Sequence, residues 1–378
     1  MNEFATIQQR EECIQSESIE FVHLHGFDSA DLIGKGSYGR VYKVMRKGIC
    51  YAAKVMEVNA YNSGFPVSTL REVSTLKRLS GHQNIVKVID VQMNQAPHFV
   101  LLEFVQYSMQ SYVNTKGAMT DRLNRICTLQ VLRGIEHMHK MCTMHRDIKP
   151  GNILMQPSGH VMIADMGSSK VDMSGKSRDS AFFSSSNVSS HTTRVCTVPY
   201  SAPEVAANGE PTFSMDLWSV GCCTAFCGRG DDLFRSRKWE QHLHCVCTKL
   251  GMPSEHSTLA NLPFFAEIDK SSWQIPPFDA LSTVTSKFLS ASLVSFVDSV
   301  VKFEQTQREN ATSAQCHHGF THIRNLSLLE LLSYKGPLDS IQASNRTNGF
   351  VNSKERKPTI PSSNSPNSKK KKQRVKNP

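Results

Sequence analysis

The run Gly34-Lys35-Gly36-Ser37-Tyr38-Gly39-Arg40-Val41 lies between strand-like stretches, and this placement restricts the fold more than any other feature of the chain. Before it, a stretch ending in Asp31-Leu32-Ile33 reads as a strand. After it, Val41-Tyr42-Lys43-Val44 and Tyr51-Ala52-Ala53-Lys54-Val55-Met56 read as two more. A GxGxxG run that opens a helix belongs to a doubly wound parallel sheet. Here a strand follows, so that fold is excluded and an antiparallel sheet is expected. The missing Cβ atoms also let backbone amides approach phosphate oxygens, although an ordinary hairpin turn would carry the same residues.

Further along, the pattern changes. Pro66 opens a helical stretch in which Leu70, Val73, Leu76 and Leu79 recur every three residues. Ile85 to Val91 and His98 to Phe104 are again strand-like. Asp121 can then cap a helix whose apolar face is Leu123, Ile126, Cys127, Val131, Ile135 and Met138. A small β-rich part thus precedes a larger α-rich part, with a ligand cleft expected between them, hinged near residues 103–108. With 378 residues, 39% of them apolar, the chain is long enough for two lobes.

Charge and cysteine usage exclude several classes. Residues 354–378 hold nine Lys or Arg against Glu355, so +8 of the net charge of +10 sits there. A fold that reads nucleic acid carries its basic excess on itself, so no specific nucleic acid is expected. Residues 171–194 are rich in Ser and Thr and read as loosely ordered. Residues from about 340 onward read as a disordered tail. No apolar run reaches the roughly 18–20 residues of a membrane span. Met1 to Glu20 has no signal-peptide stretch, so membrane insertion and secretion are not expected. The 11 cysteines show no CxxC and read as reduced, intracellular thiols. Cys223, Cys227, His242, His244, Cys245 and Cys247 crowd together but lack paired zinc spacing, and read as helix positions.

Four sites carry chemistry. Lys54 falls on a central strand, where an inward Lys needs a partner, and Glu72 on the following helix is the candidate. His145-Arg146-Asp147-Ile148-Lys149-Pro150-Gly151-Asn152 follows the long helix. In it Asp147 is placed to accept a hydroxyl proton, Lys149 to steady a moving phosphoryl group and Asn152 to hold a metal ion. Asp165-Met166-Gly167 follows the strand-like Val161-Met162-Ile163-Ala164, and Asp165 is a candidate Mg²⁺ ligand.

This set resembles the eukaryotic protein kinases and, within them, the cyclin-dependent kinases of the CMGC group, over roughly residues 27–325. Pro66-Val67-Ser68-Thr69-Leu70-Arg71-Glu72 is similar to that group's PSTAIRE helix start. Asp216-Leu217-Trp218-Ser219-Val220-Gly221-Cys222 matches D-x-W-S-x-G-C, and Ala202-Pro203-Glu204 is an APE motif. Leu233-Phe234 and Leu250-Gly251-Met252-Pro253-Ser254-Glu255 resemble the group's LF…LGTPxE insert.

The resemblance implies an α+β, bilobal fold: an N-terminal extension (1–26), a β-rich N-lobe (27–105), a mainly helical C-lobe (106–325) and a C-terminal extension (326–378). It implies a Ser/Thr protein kinase that uses ATP and Mg²⁺, with Lys54, Glu72, Asp147 and Lys149 catalytic and Asn152 and Asp165 holding metal. ATP would lie against Ile33, Gly34, Lys35, Gly36, Ser37, Tyr38, Gly39, Val41, Ala52, Lys54, Leu102 as gatekeeper, and Glu103 to Val105. Ser37, Tyr38 and Thr192 fall at positions of regulatory phosphorylation, with Arg71, Arg146 and Lys170 clamping the last of these. Glu204 and Arg308 would form a buried ion pair. Implied partners are protein substrates and a cyclin-like activating subunit at the 66–79 helix.

Some residues depart from the group. Met166 replaces the Phe of DFG, an apolar exchange that can keep the packing role. Pro199-Tyr200-Ser201 stands where the group has W-Y-R, so looser choice at the substrate residue after the target is expected. Lys369-Lys370-Lys371-Lys372-Gln373-Arg374 reads as a nuclear localisation signal, giving a nuclear or cytoplasmic location. Two rival readings stay open: a catalytically silent scaffold of the same fold, and a kinase of the group that works without a cyclin.

Overall fold

The strand-like stretches form one five-stranded antiparallel sheet in the computed structural model. Residues 22, 25–36, 39–56, 67–93, 98–172, 196–275 and 280–335 are described. Ser37, Tyr38, Pro66, Thr192, most of the N-terminal extension and the basic tail lie outside them. The strands are β1 (Ser29–Gly36), β2 (Gly39–Arg46), β3 (Ile49–Met56), β4 (Val88–Gln92) and β5 (Phe99–Glu103), in the order β1-β2-β3-β5-β4. The glycine run joins β1 to β2, as its position predicts. Gly39 is required there: at φ +148° a Cβ would lie 2.0 Å from the Val55 carbonyl oxygen.

Side-chain alternation sets the duty of each sheet face. Tyr42, Val44, Ala53, Phe99 and Leu101 are buried with Phe27 on one face. Met56, Val100 and Leu102 are buried on the other, together with Val73, Leu76 and Leu79 from and just after helix α1 (Val67–Arg78). Lys54 lies two residues from both Ala52 and Met56, so it shares this second face. Leu70 departs from the apolar stripe that its spacing predicts: it is 45% exposed, while Leu76 is 1% exposed.

After β5 the chain forms β6 (Tyr107–Ser108), α2 (Met109–Lys116) and the long helix α3 (Asp121–Lys140). The cap of α3 is Thr120, whose hydroxyl accepts the Leu123 N–H, and not Asp121. Asp121 instead lies one residue inside the helix and pairs with the buried Arg125 at 2.6 Å. Strands β7 (Thr143–Met144), β8 (Ile153–Met155), β9 (Val161–Ile163) and β10 (Lys170–Val171) frame two loops beneath the first sheet. Then follow α4 (Pro203–Ala206), α5 (Ser214–Arg229), α6 (Trp239–Leu250), α7 (Pro263–Glu267), α8 (Leu281–Thr285), α9 (Ala291–Val300), α10 (Ala311–Gln315) and α11 (Leu328–Ser333).

Helix α5 is buried along nearly its whole length, from Met215 to Cys227. A helix apolar all round belongs at the centre of a domain. Gly221 lets the end of α9 approach it, since a Cβ there would meet Val300 Cγ2 at 2.8 Å and Val301 Cγ2, just past the helix, at 2.6 Å. Every described cysteine is a free thiol, and Cys222, Cys223 and Cys227 are buried core residues. Among the described residues no helix is long and apolar enough to cross a membrane.

The helical lobe contains the anticipated buried ion pair. Arg308 donates to both Glu204 carboxylate oxygens at 2.7 Å, lies 5.0 Å over the Trp218 ring, and its side chain is fully buried. Removing one partner of such a pair strands the other charge and costs about 3–5 kcal/mol, whereas replacing both by apolar residues costs far less. Glu204→Ala is therefore expected to lower unfolding stability in urea by about that amount, with Glu204→Met/Arg308→Met less affected. A single variant within about 1 kcal/mol of the parent would contradict this.

Candidate active site

The cleft-facing side of the sheet ends on Lys54. Its Nζ donates to Glu72 at 2.7 Å and to Asp165 at 3.2 Å, joining β3, α1 and the segment after β9. Burial by itself would lower the Lys54 pKa, but the two carboxylates outweigh it and hold the ammonium above its ordinary range. Burial likewise opposes charge on Asp165, and Lys54 overrides it and keeps the carboxylate ionised. Around this group Val41 is opposite Lys54, and Ala52 is opposite Leu102. Ile33, on β1, is half exposed. The Glu103 N–H is already bound to the Lys87 carbonyl, and the Phe104 carbonyl accepts from Gln156. An adenine-like edge is left with the Glu103 carbonyl and the Val105 N–H.

Below the sheet, the loop between β7 and β8 is shaped by one buried carboxylate. Asp216, in the first turn of α5, accepts the backbone N–H groups of His145 and Arg146 at 2.9 Å each, and His139 Nε2 at 2.9 Å. Burial favours its neutral form, but the His139 hydrogen bond, His139 and His145 outweigh this and hold its pKa low. His145 Nδ1 accepts the Asp147 N–H, so its Nε2 carries the proton given to the Ala164 carbonyl. Arg146 and Asp165 both adopt left-handed backbone conformations, φ 69° and 62°. Such residues persist only where neighbours hold them, and here Asp216 and Lys54 do so.

Asp147 is fixed by four hydrogen bonds. Lys149 Nζ reaches its Oδ2 at 2.7 Å, as does Asn152 Nδ2 at 3.2 Å. Its Oδ1 accepts the Thr197 hydroxyl at 2.7 Å and the Thr197 N–H at 2.9 Å. Lys149 also donates to the Thr197 hydroxyl at 2.8 Å, which directs that hydroxyl's proton toward Asp147. Met166 is fully buried in the same core as Leu76, so the apolar role expected of it is kept.

The segment leading into α4 is tied down from several sides. Ser201 is buried; its hydroxyl faces the Cys196 thiol at 3.0 Å and donates to the Ala202 carbonyl. Its own carbonyl accepts from His242 Nε2 at 2.8 Å. His242 Nδ1 faces Ser236, and burial pushes the imidazole down to about 4, so it stays neutral. The crowded Cys/His stretch is thus divided between two helices: Cys223 and Cys227 are buried on α5, His242 and Cys247 on α6, and His244 and Cys245 are half-buried. Among the described residues no group of three or more His, Cys, Asp or Glu could hold a metal ion.

Arg71 donates to the Gly167 carbonyl at 3.1 Å, and Arg146 to that of Ser168 at 2.7 Å. Burial and then the nearby Arg71 charge lower the Arg146 pKa. Two of the three expected clamp residues are thus held on adjacent carbonyls, with the exposed Lys170 two residues after Ser168. Thr192, its expected ligand, lies outside the described residues.

Three functional residues were missed from sequence. Asp216 was visible only as part of a motif. Thr197 gave no signal and His242 stood out only as one of a Cys/His cluster, because their roles depend on contacts across 50 and 41 residues.

Comparison with known proteins agrees with this geometry. A protein kinase domain family matches residues 27–320. The chain is 28% identical over 246 residues to the CTD kinase subunit alpha of Schizosaccharomyces pombe, covering 63% of this chain and 39% of that protein. It is 29% identical over 304 residues to cell division control protein 2 homolog 3 of Trypanosoma brucei brucei, covering 78% and 92% respectively. Against cyclin-dependent kinase 11.1 of Caenorhabditis elegans it is 27% identical over 312 residues, covering 78% and 41%. The alignment thus spans about two fifths of the fission-yeast and nematode relatives and nearly all of the trypanosome one. The site geometry and the family match place the chain in the protein kinase family, and the relatives it is similar to carry cyclin-dependent kinase, cell division control and CTD kinase names.

Proposed function

We propose that this chain transfers the γ-phosphoryl group of Mg-ATP to Ser and Thr hydroxyls of proteins. The observation that carries the reading is the joint placement of Asp147, Lys149 and Thr197 in one hydrogen-bonded unit, in the same cleft as the closed Lys54–Glu72 pair. Lys54 would hold phosphate oxygens, kept charged by its two carboxylates. Thr197 and Asn152 aim the Asp147 carboxylate at an incoming hydroxyl, and Lys149 supplies positive charge beside it.

Asp165 and Asn152 fit a hard cation. Asp165 Oδ1 is engaged by Lys54 and Asn152 uses its amide N–H groups on Asp147, which leaves Asp165 Oδ2 and Asn152 Oδ1 as oxygen donors. Mg²⁺ commonly binds through one or two protein oxygens plus substrate phosphates, and there it neutralises phosphate charge. Asp147→Asn should cut phosphoryl transfer by roughly 10²–10⁴ while nucleotide binding, measured by titration, changes little. Near-parental turnover in a radiolabelled phosphate assay would remove this reading.

Control by a partner rests on α1. The Lys54–Glu72 contact is closed in the chain alone, so a partner would hold it closed and not need to create it. Leu70, 45% exposed on α1, offers an apolar contact. A co-purifying activating subunit is expected, and Leu70→Glu should weaken its binding. Full activity of the lone unphosphorylated chain would count against this regulation. Ser201, short and uncharged, supports looser choice at the residue after the target.

For location, the Lys369–Lys372 run and Arg374 support nuclear import, since clustered cations suit an import receptor. Deleting residues 366–378 from a fluorescent fusion should reduce nuclear signal; unchanged distribution would exclude the role.

A further inference from the structure

A groove opens beside the catalytic unit and is used by none of the residues discussed for nucleotide or metal. It is lined by Thr197, Val198 and Pro199 on one side, and by Asp231, Asp232, Arg235, Ser236, Arg237 and Gln241 on the other. Thr197 touches Asp147 directly. A polypeptide that presents its hydroxyl to Asp147 advances only about 3.3 Å per residue when extended. Its residues next to the target therefore run into this groove.

The charges of the groove are unequal in their freedom. From Arg229 to Lys238 there are four cations (Arg229, Arg235, Arg237, Lys238) against Asp231 and Asp232. Asp231 is matched by Arg235 and lies 4.0 Å from Arg229. Arg229 is also engaged by the Phe288 ring at 5.6 Å. Asp232 accepts the Tyr200 phenol, which ties it to the segment entering α4. Arg237 lines the groove and Lys238 follows it; both are exposed, and neither side chain has a hydrogen bond or ion pair among the described residues. The Asp232 end of the groove is thus committed to the fold, and the Arg237 end presents uncompensated positive charge.

We infer that this groove is a substrate subsite in which Arg237, with Lys238, selects an acidic side chain flanking the phosphorylated Ser or Thr. The inference rests on the kinase reading above and names the class of substrate it prefers. An exposed ion pair contributes little, so the selection is modest, and it weakens as salt screens it.

The test is a positional peptide library around a central Ser/Thr, phosphorylated by the full chain with its activating partner. At one or more positions near the target, Asp and Glu should exceed Lys in kcat/KM by roughly two- to fivefold. High salt should shrink that ratio, and Arg237→Glu/Lys238→Glu should invert it in favour of Lys. Absence of acidic preference at every position, or a preference unchanged in the double variant, overturns the subsite while leaving the kinase reading intact. Phosphorylation of no peptide at all would overturn the kinase reading and the subsite with it.

Discussion

One buried carboxylate organises the lower half of the cleft. Asp216 sits in the first turn of a helix that is apolar all round, and it receives two backbone N–H groups and an imidazole. An ionised group in such a place is tolerable only when fully hydrogen-bonded. The requirement works in both directions: the carboxylate needs the loop's amides, and the loop's left-handed turn at Arg146 needs the carboxylate. The loop that carries Asp147 is thereby attached to a helix buried from Met215 to Cys227.

The upper half is organised by a cation in the same way. Lys54 on a buried strand face would be expelled by desolvation if alone. Paired with Glu72 and Asp165, it links three separate elements through one ammonium. Glu204 and Arg308 repeat the logic in the helical lobe, with both charges out of water and both satisfied. Each ionic unit carries geometric information that apolar packing lacks, because a bidentate or shared hydrogen bond has a direction.

Legibility in the sequence followed the range of the interactions. Asp147, Asn152 and Asp165 stood out because each sits in a short loop motif of fixed spacing, and Lys54 because a charge on a central strand needs a partner. The sheet and the helix from Val67 were readable from alternation and spacing. Asp121 was misjudged as a cap, since Thr120 and Asp121 are both good capping residues and only the backbone angles decide between them. Leu70 was counted with the buried stripe. Its spacing is right, yet the sheet covers only part of the helix circumference. His242 belongs to a cluster that read as helix positions for want of zinc spacing, and its part as a donor to the Ser201 carbonyl appears only once α6 lays it there.

What the sequence determined on its own was the choice of antiparallel over parallel sheet, the two-part division and which charged residues gather at the candidate site. Those follow from contacts a few residues apart, where chain geometry leaves few options. The tertiary structure alone decided which groups meet: Lys54 with Glu72 and Asp165, Asp147 with Thr197, Asp216 with the loop at His145 and Arg146, and Arg237 with no acid among the described residues. Such pairings join residues tens of positions apart, and only burial of the intervening core brings them within the few ångströms over which a hydrogen bond acts.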